Sequence, residues 1–320
     1  MIDFIKIIFN EKNDLEKIFK KQNLVKIRKN ISKNDKDSNL TIDYPMKNYC
    51  HNLCLKVNKD SGELYGSFHK LYNNLRGIGN RNHNDFDLYD LEAAIIVLEK
   101  YLGVDDLPEH KITNLEVGFN IDLDETPFNY IQESVLFYNL KKDSVDSRHK
   151  KNETIKKFSF NEYEIKIYDK SAQYGLNKNI IRVEVKYTSS KLLRRLGINV
   201  INDLLCSNTL SVLILDYFKK ICCLTIIDSW NGSANSAIVS KDMMKLERYT
   251  NPFYWNELRA KNEYMKLKRG REEFDRLIGN NKLYNRHKYI IDNIYKKYMA
   301  MYQDYFYGSV KGIMLENLLI

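Results

Sequence analysis

The chain of 320 residues is 43% hydrophobic and 29% charged, with only 4 prolines and 13 glycines. This composition excludes collagen-like, disordered and disulfide-scaffold proteins. The length corresponds to one large or two ordinary domains. The 51 basic and 42 acidic residues give a net charge of +9. That excess favours an anionic partner, most often nucleic acid, although a genome rich in A and T also raises the lysine content regardless of function.

The sequence gives no sign of a membrane segment. It contains no run of roughly 18 apolar residues, the length that a membrane-spanning helix needs. Residues 1–20 start with an apolar piece but lack the basic start, long apolar core and small-residue cleavage site of a signal peptide. We therefore expect a cytoplasmic protein without a membrane partner.

Hydrophobic patterning in the first part of the chain predicts strands and one clear helix. Residues 51–57 alternate apolar and polar side chains, and residues 63–68 follow a turn as the expected hairpin partner. Residues 84–103 repeat leucine and isoleucine at helical spacing, with an aspartate to cap the start and a glycine at the end. Residues 112–123 form the clearest strand, in which every second residue is apolar.

Two further strands and a helical region complete the pattern. Alternation predicts one strand around Ile165 and another around Val183. Residues 241–300 hold 15 basic and 8 acidic residues and so carry +7 of the net charge. We predict an α+β protein, with an antiparallel β-sheet catalytic domain and covering helices at residues 1–190. A mainly helical, basic C-terminal region follows at residues 191–320.

The three strands share a polar face opposite their apolar face. Alternation alone predicts that this face of an antiparallel sheet is exposed to water, with charge pairs between strands. The residue types are nevertheless unusual as a set, because carboxylates, a phenol and cations occur together: Glu116, Asn120, Asp122, Tyr168, Lys170, Arg182, Glu184 and Lys186.

These residue types are the parts needed for attack on a phosphodiester. Carboxylates on adjacent strands can hold a hard divalent cation, and a phenol beside that cation can act as a nucleophile. Lysine and arginine can stabilise the charge that develops on a phosphoryl oxygen. The set therefore suggests a covalent link between a tyrosine and DNA.

The order of motifs resembles that of the gene II/X family of phage and plasmid replication initiators, the rolling-circle nickases of filamentous phages. Residues 167–170 (IYDK) are similar to the family's Tyr-x-Lys, whose tyrosine is the nicking nucleophile. Residues 181–186 (IRVEVK) are similar to its hydrophobic-Arg-hydrophobic-Glu-hydrophobic-Arg/Lys motif. Residues 114–118 (NLEVG) lie where the family has Arg-hydrophobic-Asp-hydrophobic-Thr or Ala. The likeness spans roughly residues 45–210.

The resemblance implies a role for each matching residue. Tyr168 would be the catalytic nucleophile, with Lys170 and Arg182 as further catalytic residues, and Tyr174 is an alternative nucleophile. Mg²⁺ or Mn²⁺ would be held by three carboxylates, of which the second replaces or supplements the first: Glu116, Asp122 and Glu184. The basic residues expected to contact DNA are Lys70, Lys166, Lys186, Lys266, Lys268 and Arg269.

The implied function is the initiation of rolling-circle replication at a phage or plasmid origin, on single- or double-stranded DNA. Nicking would leave a 5′-phosphotyrosyl link and a free 3′-OH, and host DNA polymerase and helicase are the expected further partners. Three alternatives stay open. They are a non-enzymatic DNA-binding protein on the same fold, a tyrosine transposase or relaxase, and a structural protein whose charge reflects genome composition.

Overall fold

The computed structural model describes residues 1–9, 12–21, 27–30, 39–42, 44–104, 107–144, 154–228 and 238–307. Within these ranges the strands are β1 (Ile2–Phe9), β2 (Ile27–Asn30), β3 (Asn39–Ile42), β4 (Met46–Cys50), β5 (Leu53–Val57), β6 (Gly62–Ser67), β7 (Lys111–Asp122), β8 (Val135–Tyr138), β9 (Ile155–Ser159), β10 (Tyr163–Asp169), β11 (Ile180–Tyr187) and β12 (Leu224–Ile226). Eight of them form one antiparallel sheet in the order β4-β5-β6-β1-β7-β11-β10-β9.

The α-helices in the same ranges are α1 (Lys12–Lys21), α2 (Phe68–Leu75), α3 (Leu88–Leu102), α4 (Pro127–Asn129), α5 (Lys170–Tyr174), α6 (Ser190–Arg195), α7 (Ser207–Ile221), α8 (Ser240–Thr250), α9 (Pro252–Ala260), α10 (Tyr264–Asn280) and α11 (Asn285–Tyr307). A large antiparallel sheet followed by helices confirms the predicted α+β class. Among the described residues, no helix combines the length and the apolarity needed to cross a membrane.

The strands predicted from alternation lie side by side in the middle of the sheet. β11 pairs with β7 on one side and with β10 on the other. The register places Arg182 opposite both Asn120 and Tyr168, and it places Glu184 opposite Lys166. Because facing residues in a sheet point to the same side, these side chains share one face.

The apolar face of the central strands packs on α7 and α11. Tyr217 of α7 packs edge-on against Phe119, and its hydroxyl donates to the Val183 carbonyl at 3.0 Å. Ile290 and Ile294 of α11 are fully buried in the same core. This core therefore joins the sheet, whose strands precede residue 190, to helices that follow residue 190.

Alternation alone predicts that the polar face is open to water, but another segment of the chain covers part of it. The chain between α2 and α3 crosses it, and the Asn120 side-chain amide donates to the carbonyls of His83 and Asn84 at 3.0 and 3.1 Å. The N-terminus of α3 is fixed by a capping box between Asp87 and Asp90. The covering segment has no periodic pattern, which is why the sequence does not predict it.

A second hydrophobic core lies among α8, α9 and α10. Its buried members are Phe137, Leu140, Ile227, Leu246, Tyr249, Trp255, Leu258, Phe274, Leu277 and Leu283. The indole nitrogen of Trp255 donates to the Tyr249 carbonyl at 2.7 Å, so the ring is satisfied although it is buried. The division of the chain at residue 190 stays a prediction about domains.

Replacing Trp255 by alanine tests how far the second core depends on this ring. Trp255 is 0% exposed and Phe253, two residues away on α9, is 73% exposed. We expect Trp255→Ala to lower the free energy of unfolding by about 3–5 kcal/mol and Phe253→Ala to change it by about 0.5 kcal/mol or less. Urea denaturation followed by circular dichroism measures both. Equal effects of the two variants would contradict the assignment of a buried core here.

Candidate active site

A cavity of about 310 Å³ opens on the polar face of the sheet. It is formed by β1, β6, β7, β10 and β11, by the start of β9, by α2 and α5, and by the segment between α2 and α3. The lining residues are Asp3, Phe4, Ser67, Lys70, Asn82, Glu116, Thr154, Ile155, Lys166, Tyr168, Asp169, Lys170, Gln173 and Glu184.

Arg182 lies beneath the cavity and is 2% exposed. Its guanidinium donates to Glu184 Oε2 at 3.1 Å, to Asp3 Oδ2 at 3.2 Å and to Asn120 Oδ1 at 3.1 Å. A Cβ on Gly118 would lie 2.8 Å from Arg182 Nη2. The absence of a side chain at that position therefore makes room for the guanidinium.

Tyr168 projects from β10 between an acidic and a basic group. Its hydroxyl donates to Glu184 Oε2 at 3.2 Å and accepts from Lys170 Nζ at 3.2 Å. Burial, and then the carboxylate of Glu184, raise the pKa of Tyr168 well above its ordinary value. The phenol is therefore protonated at neutral pH and needs a base before it can attack.

Lys170 lies within hydrogen-bond distance of this hydroxyl and can serve as that base when its amine is neutral. It is the first residue of α5 and is fully buried, and its Nζ donates to Asn82 Oδ1 at 2.6 Å. Burial, and then the positive charge of Arg182, lower the pKa of Lys170 to about 7. Tyr174 reaches the same Asn82 oxygen at 2.5 Å, so both tyrosines lie close to this amine.

The sequence folds locally so that Lys170 enters the site. Asp169 caps α5, because its carboxylate accepts from the Ala172 backbone N–H at 2.8 Å. Gly175 ends the helix in a left-handed conformation, with φ of 60°. The chain thus turns immediately after β10, and Lys170 is held next to Tyr168.

Lys166 lies between two carboxylates. Its Nζ is 2.7 Å from Glu184 Oε1 and 3.6 Å from Glu116 Oε2. Burial would raise the pKa of Glu184, but Lys166 and Arg182 lower it to about 2. Burial and the neighbouring Glu184 raise the pKa of Glu116 to about 7.

Asp3 and Asn82 belong to this site, and sequence reasoning did not include them. Asp3 accepts hydrogen bonds from Ser67, Asn82 and Arg182. Burial would raise the pKa of Asp3, but Arg182 beside it holds that pKa below its ordinary value. The sequence does offer a signal for Asp3, because this residue is an acidic side chain within an apolar segment. Asn82 lies in a polar segment, where an asparagine does not stand out.

The structure brings together most of the predicted site residues. Tyr168, Lys170, Arg182, Glu116 and Glu184 meet at the cavity, and the predicted DNA contacts Lys70 and Lys166 line it. The remaining predicted residues lie elsewhere.

Asp122 does not reach this cavity. It is exposed and lines a neighbouring pocket with His83 and Lys297, because it lies two residues past Asn120 toward the end of β7. The Lys186 ammonium lies over the Phe4 ring, 4.4 Å from its centre. The exposed basic residues of α10 are outside the cavity as well: Lys266, Lys268 and Arg269.

The carboxylates do not fit a divalent cation in the described arrangement. Glu184 Oε1 accepts from Lys166, and Glu184 Oε2 accepts from Tyr168 and Arg182. The ammonium of Lys166 occupies the position between Glu116 and Glu184 that a shared cation would take. In the part of the chain that the structure describes, no group of three or more His, Cys, Asp or Glu side chains could hold a metal ion.

Comparison with known proteins gives little. No protein-family model and no curated protein matches the chain. A solved structure of the rolling circle replication initiator protein from Geobacillus stearothermophilus is similar over 64% of this chain and 79% of that one, at 14% identity and a TM-score of 0.32. At that TM-score the likeness carries no argument about this chain, and the resemblance to the gene II/X family stays a prediction.

A buried histidine anchors the segment that carries Asn82. His69 is 1% exposed, its Nε2 is 2.9 Å from Asn84 Oδ1, and its ring stacks on Phe86 with centres 4.7 Å apart. Burial lowers the pKa of His69 to about 3, although the nearby Asp3 opposes this effect. Folded His69 therefore stays neutral in mild acid.

This neutrality predicts an acid-sensitive fold. Below pH 6.5 the unfolded chain binds a proton that folded His69 does not bind until the pH approaches 3. The free energy of unfolding should therefore fall with decreasing pH in this window, by at most about 1.4 kcal/mol per pH unit from this group. His69→Gln should have a shallower slope in urea denaturation between pH 6 and 4. The exposed His51→Gln should keep the wild-type slope, and identical slopes in all three proteins would disprove the assignment.

Proposed function

We propose that this protein nicks and rejoins DNA through a covalent bond to Tyr168 and that it initiates rolling-circle replication. One observation carries the proposal: the Tyr168 hydroxyl lies 3.2 Å from the buried amine of Lys170, in a cavity that Lys166 also lines. A phenol with a base and cations beside it is an arrangement suited to attack on phosphorus.

The proposed reaction begins with proton transfer. Lys170 in its neutral form takes the proton from the Tyr168 hydroxyl, and the phenolate oxygen attacks the phosphorus of a DNA phosphodiester. The bond between phosphorus and the 3′-oxygen breaks, and the leaving oxygen takes a proton from water to become a 3′-OH. Lys166 and protonated Lys170 stabilise the charge on the phosphoryl oxygens. Attack by a 3′-OH on the phosphotyrosine reverses the sequence and rejoins the strand.

The larger role and its partners are part of the same proposal. A phage or plasmid origin would be the substrate, and the exposed basic residues of α10 would contact phosphates outside the cavity. Host polymerase and helicase would extend and unwind from the released 3′-OH. A transposase or relaxase would use the same chemistry on a different DNA end, and the DNA sequence that is nicked distinguishes these roles.

Removing the phenolic oxygen tests the nucleophile. Tyr168→Phe should reduce nicking of supercoiled DNA that carries the protein's own gene and flanks by about 10³-fold or more, because no atom remains to attack. The SDS-resistant protein–DNA adduct should disappear with it. Tyr174→Phe is the matched control and should still nick and form the adduct. Nicking by Tyr168→Phe but not by Tyr174→Phe would transfer the role to Tyr174.

A neutral lysine as base predicts a pH-dependent rate. Arg182, Asp3, Glu184 and Lys70 are the charged groups around Lys170, and together with burial they give it a pKa of about 7. The single-turnover nicking rate should rise with pH up to about 7 and then level off as the amine becomes neutral. Lys170→Arg keeps a permanent charge, so it should lose this rise and slow the reaction about 10²- to 10⁴-fold.

The control for this prediction is Lys70→Arg. Lys70 lines the cavity but makes no described contact with the Tyr168 hydroxyl, so its variant should keep the wild-type pH profile. A wild-type rate that does not change between pH 5.5 and 8.5 would exclude Lys170 as the base.

A further inference from the structure

Lys166 occupies the position where two acidic side chains converge from neighbouring strands. Glu184 lies opposite it on β11, and Glu116 lies on the next strand, β7. The ammonium is 2.7 Å from one carboxylate and 3.6 Å from the other. Both glutamate side chains are nearly inaccessible to solvent, at 3% and 10% exposed, and Lys166 itself lines the cavity.

We propose that the Lys166 ammonium is the resident cation of this site and that Glu116 and Glu184 bind no divalent cation while it is in place. Nucleases and nickases commonly use a metal ion to neutralise such carboxylates and to contact the phosphate. Here a side chain of the protein itself takes the position between them.

The energetics favour the side chain over a free ion. The ammonium is covalently tethered at the carboxylates, whereas Mg²⁺ must give up tightly held water to bind there. A metal would also have to displace the Lys166 ammonium from both carboxylates and break its 2.7 Å contact with Glu184, and breaking a buried ion pair is unfavourable. Both oxygens of Glu184 already accept hydrogen bonds, from Lys166 on one side and from Tyr168 and Arg182 on the other.

In the proposed function, on which this consequence rests, the Lys166 ammonium can also contact the phosphate that Tyr168 attacks. An ammonium carries three N–H donors. Glu184 takes one of them in the described arrangement, so Lys166 can also donate to a phosphoryl oxygen in the cavity. Nicking by the wild-type protein should therefore persist in EDTA.

Direct titration with Mn²⁺ tests the inference without any nicking. Electron paramagnetic resonance measures free Mn²⁺ in the presence of the full chain. Wild type should show no saturable Mn²⁺ binding at this site, whereas Lys166→Met should bind one Mn²⁺ per chain, at least about tenfold more tightly than any residual binding by wild type, because the carboxylate pair loses its cation. Adding Glu184→Gln to Lys166→Met should abolish the gain.

Two controls test whether a gain of Mn²⁺ binding requires the loss of a positive charge at position 166 and not elsewhere. Lys157 lies opposite Lys166 on β9 and pairs with Glu164 at 3.1 Å, so Lys157→Met removes the same charge outside the carboxylate pair and should gain no Mn²⁺. Lys166→Arg keeps a cation between the carboxylates and should also gain none. Circular dichroism checks that each variant is folded. If Lys166→Met does not fold, Lys166→Gln replaces it.

Two results would overturn the inference. One is a Mn²⁺ site in wild type that Glu116→Gln or Glu184→Gln removes. The other is a folded Lys166→Met or Lys166→Gln that binds Mn²⁺ no better than wild type. Neither result depends on nicking. If the proposed function is wrong, the Mn²⁺ titration can still be interpreted. If wild type has a metal site, Tyr168 remains the proposed nucleophile.

Discussion

The polar face of the sheet depends on the buried guanidinium of Arg182. A charge with 2% exposure is tolerated only when it is paired and hydrogen-bonded, and Asp3, Glu184 and Asn120 meet that requirement from three different strands. The same contacts fix the Glu184 carboxylate, which in turn accepts from the Tyr168 hydroxyl. The carboxylate that pairs with buried Arg182 therefore also fixes the position of the Tyr168 hydroxyl.

The two carboxylates beside Lys166 have widely different pKa values although they lie side by side. Glu184 has a pKa of about 2 because two cations contact it, whereas burial and the neighbouring Glu184 raise that of Glu116 to about 7. Lys170, with a pKa of about 7, is the amine that changes charge near neutrality. One cavity thus holds an acid that is ionised at neutral pH together with an acid and an amine that both titrate near pH 7, and such shifted pKa values are typical of sites of acid–base chemistry.

Much of the fold and part of the site could be predicted from local pattern. Alternation located β7, β10 and β11, and it placed Glu116, Tyr168 and Glu184 on one face, because strand side chains repeat every second residue. Alternation could not show that the face is covered, since the covering segment between α2 and α3 has no period. It could not supply Asp3, which is 179 residues from Arg182. Alternation also placed Asp122 on the polar face, but it did not show how far along β7 Asp122 lies from the cavity.

The place of β1 in the sheet has a consequence for how the protein folds. The first strand of the chain lies between β6 and β7, so both of its neighbours follow it in the sequence. Without β1 the sheet would divide into β4-β5-β6 on one side and β7-β11-β10-β9 on the other. Contacts between distant parts of a chain form slowly because a long loop must close first. The pairing of β1 is thus complete only after β7 is available, and the cavity, which Asp3 of β1 lines, forms no earlier than that.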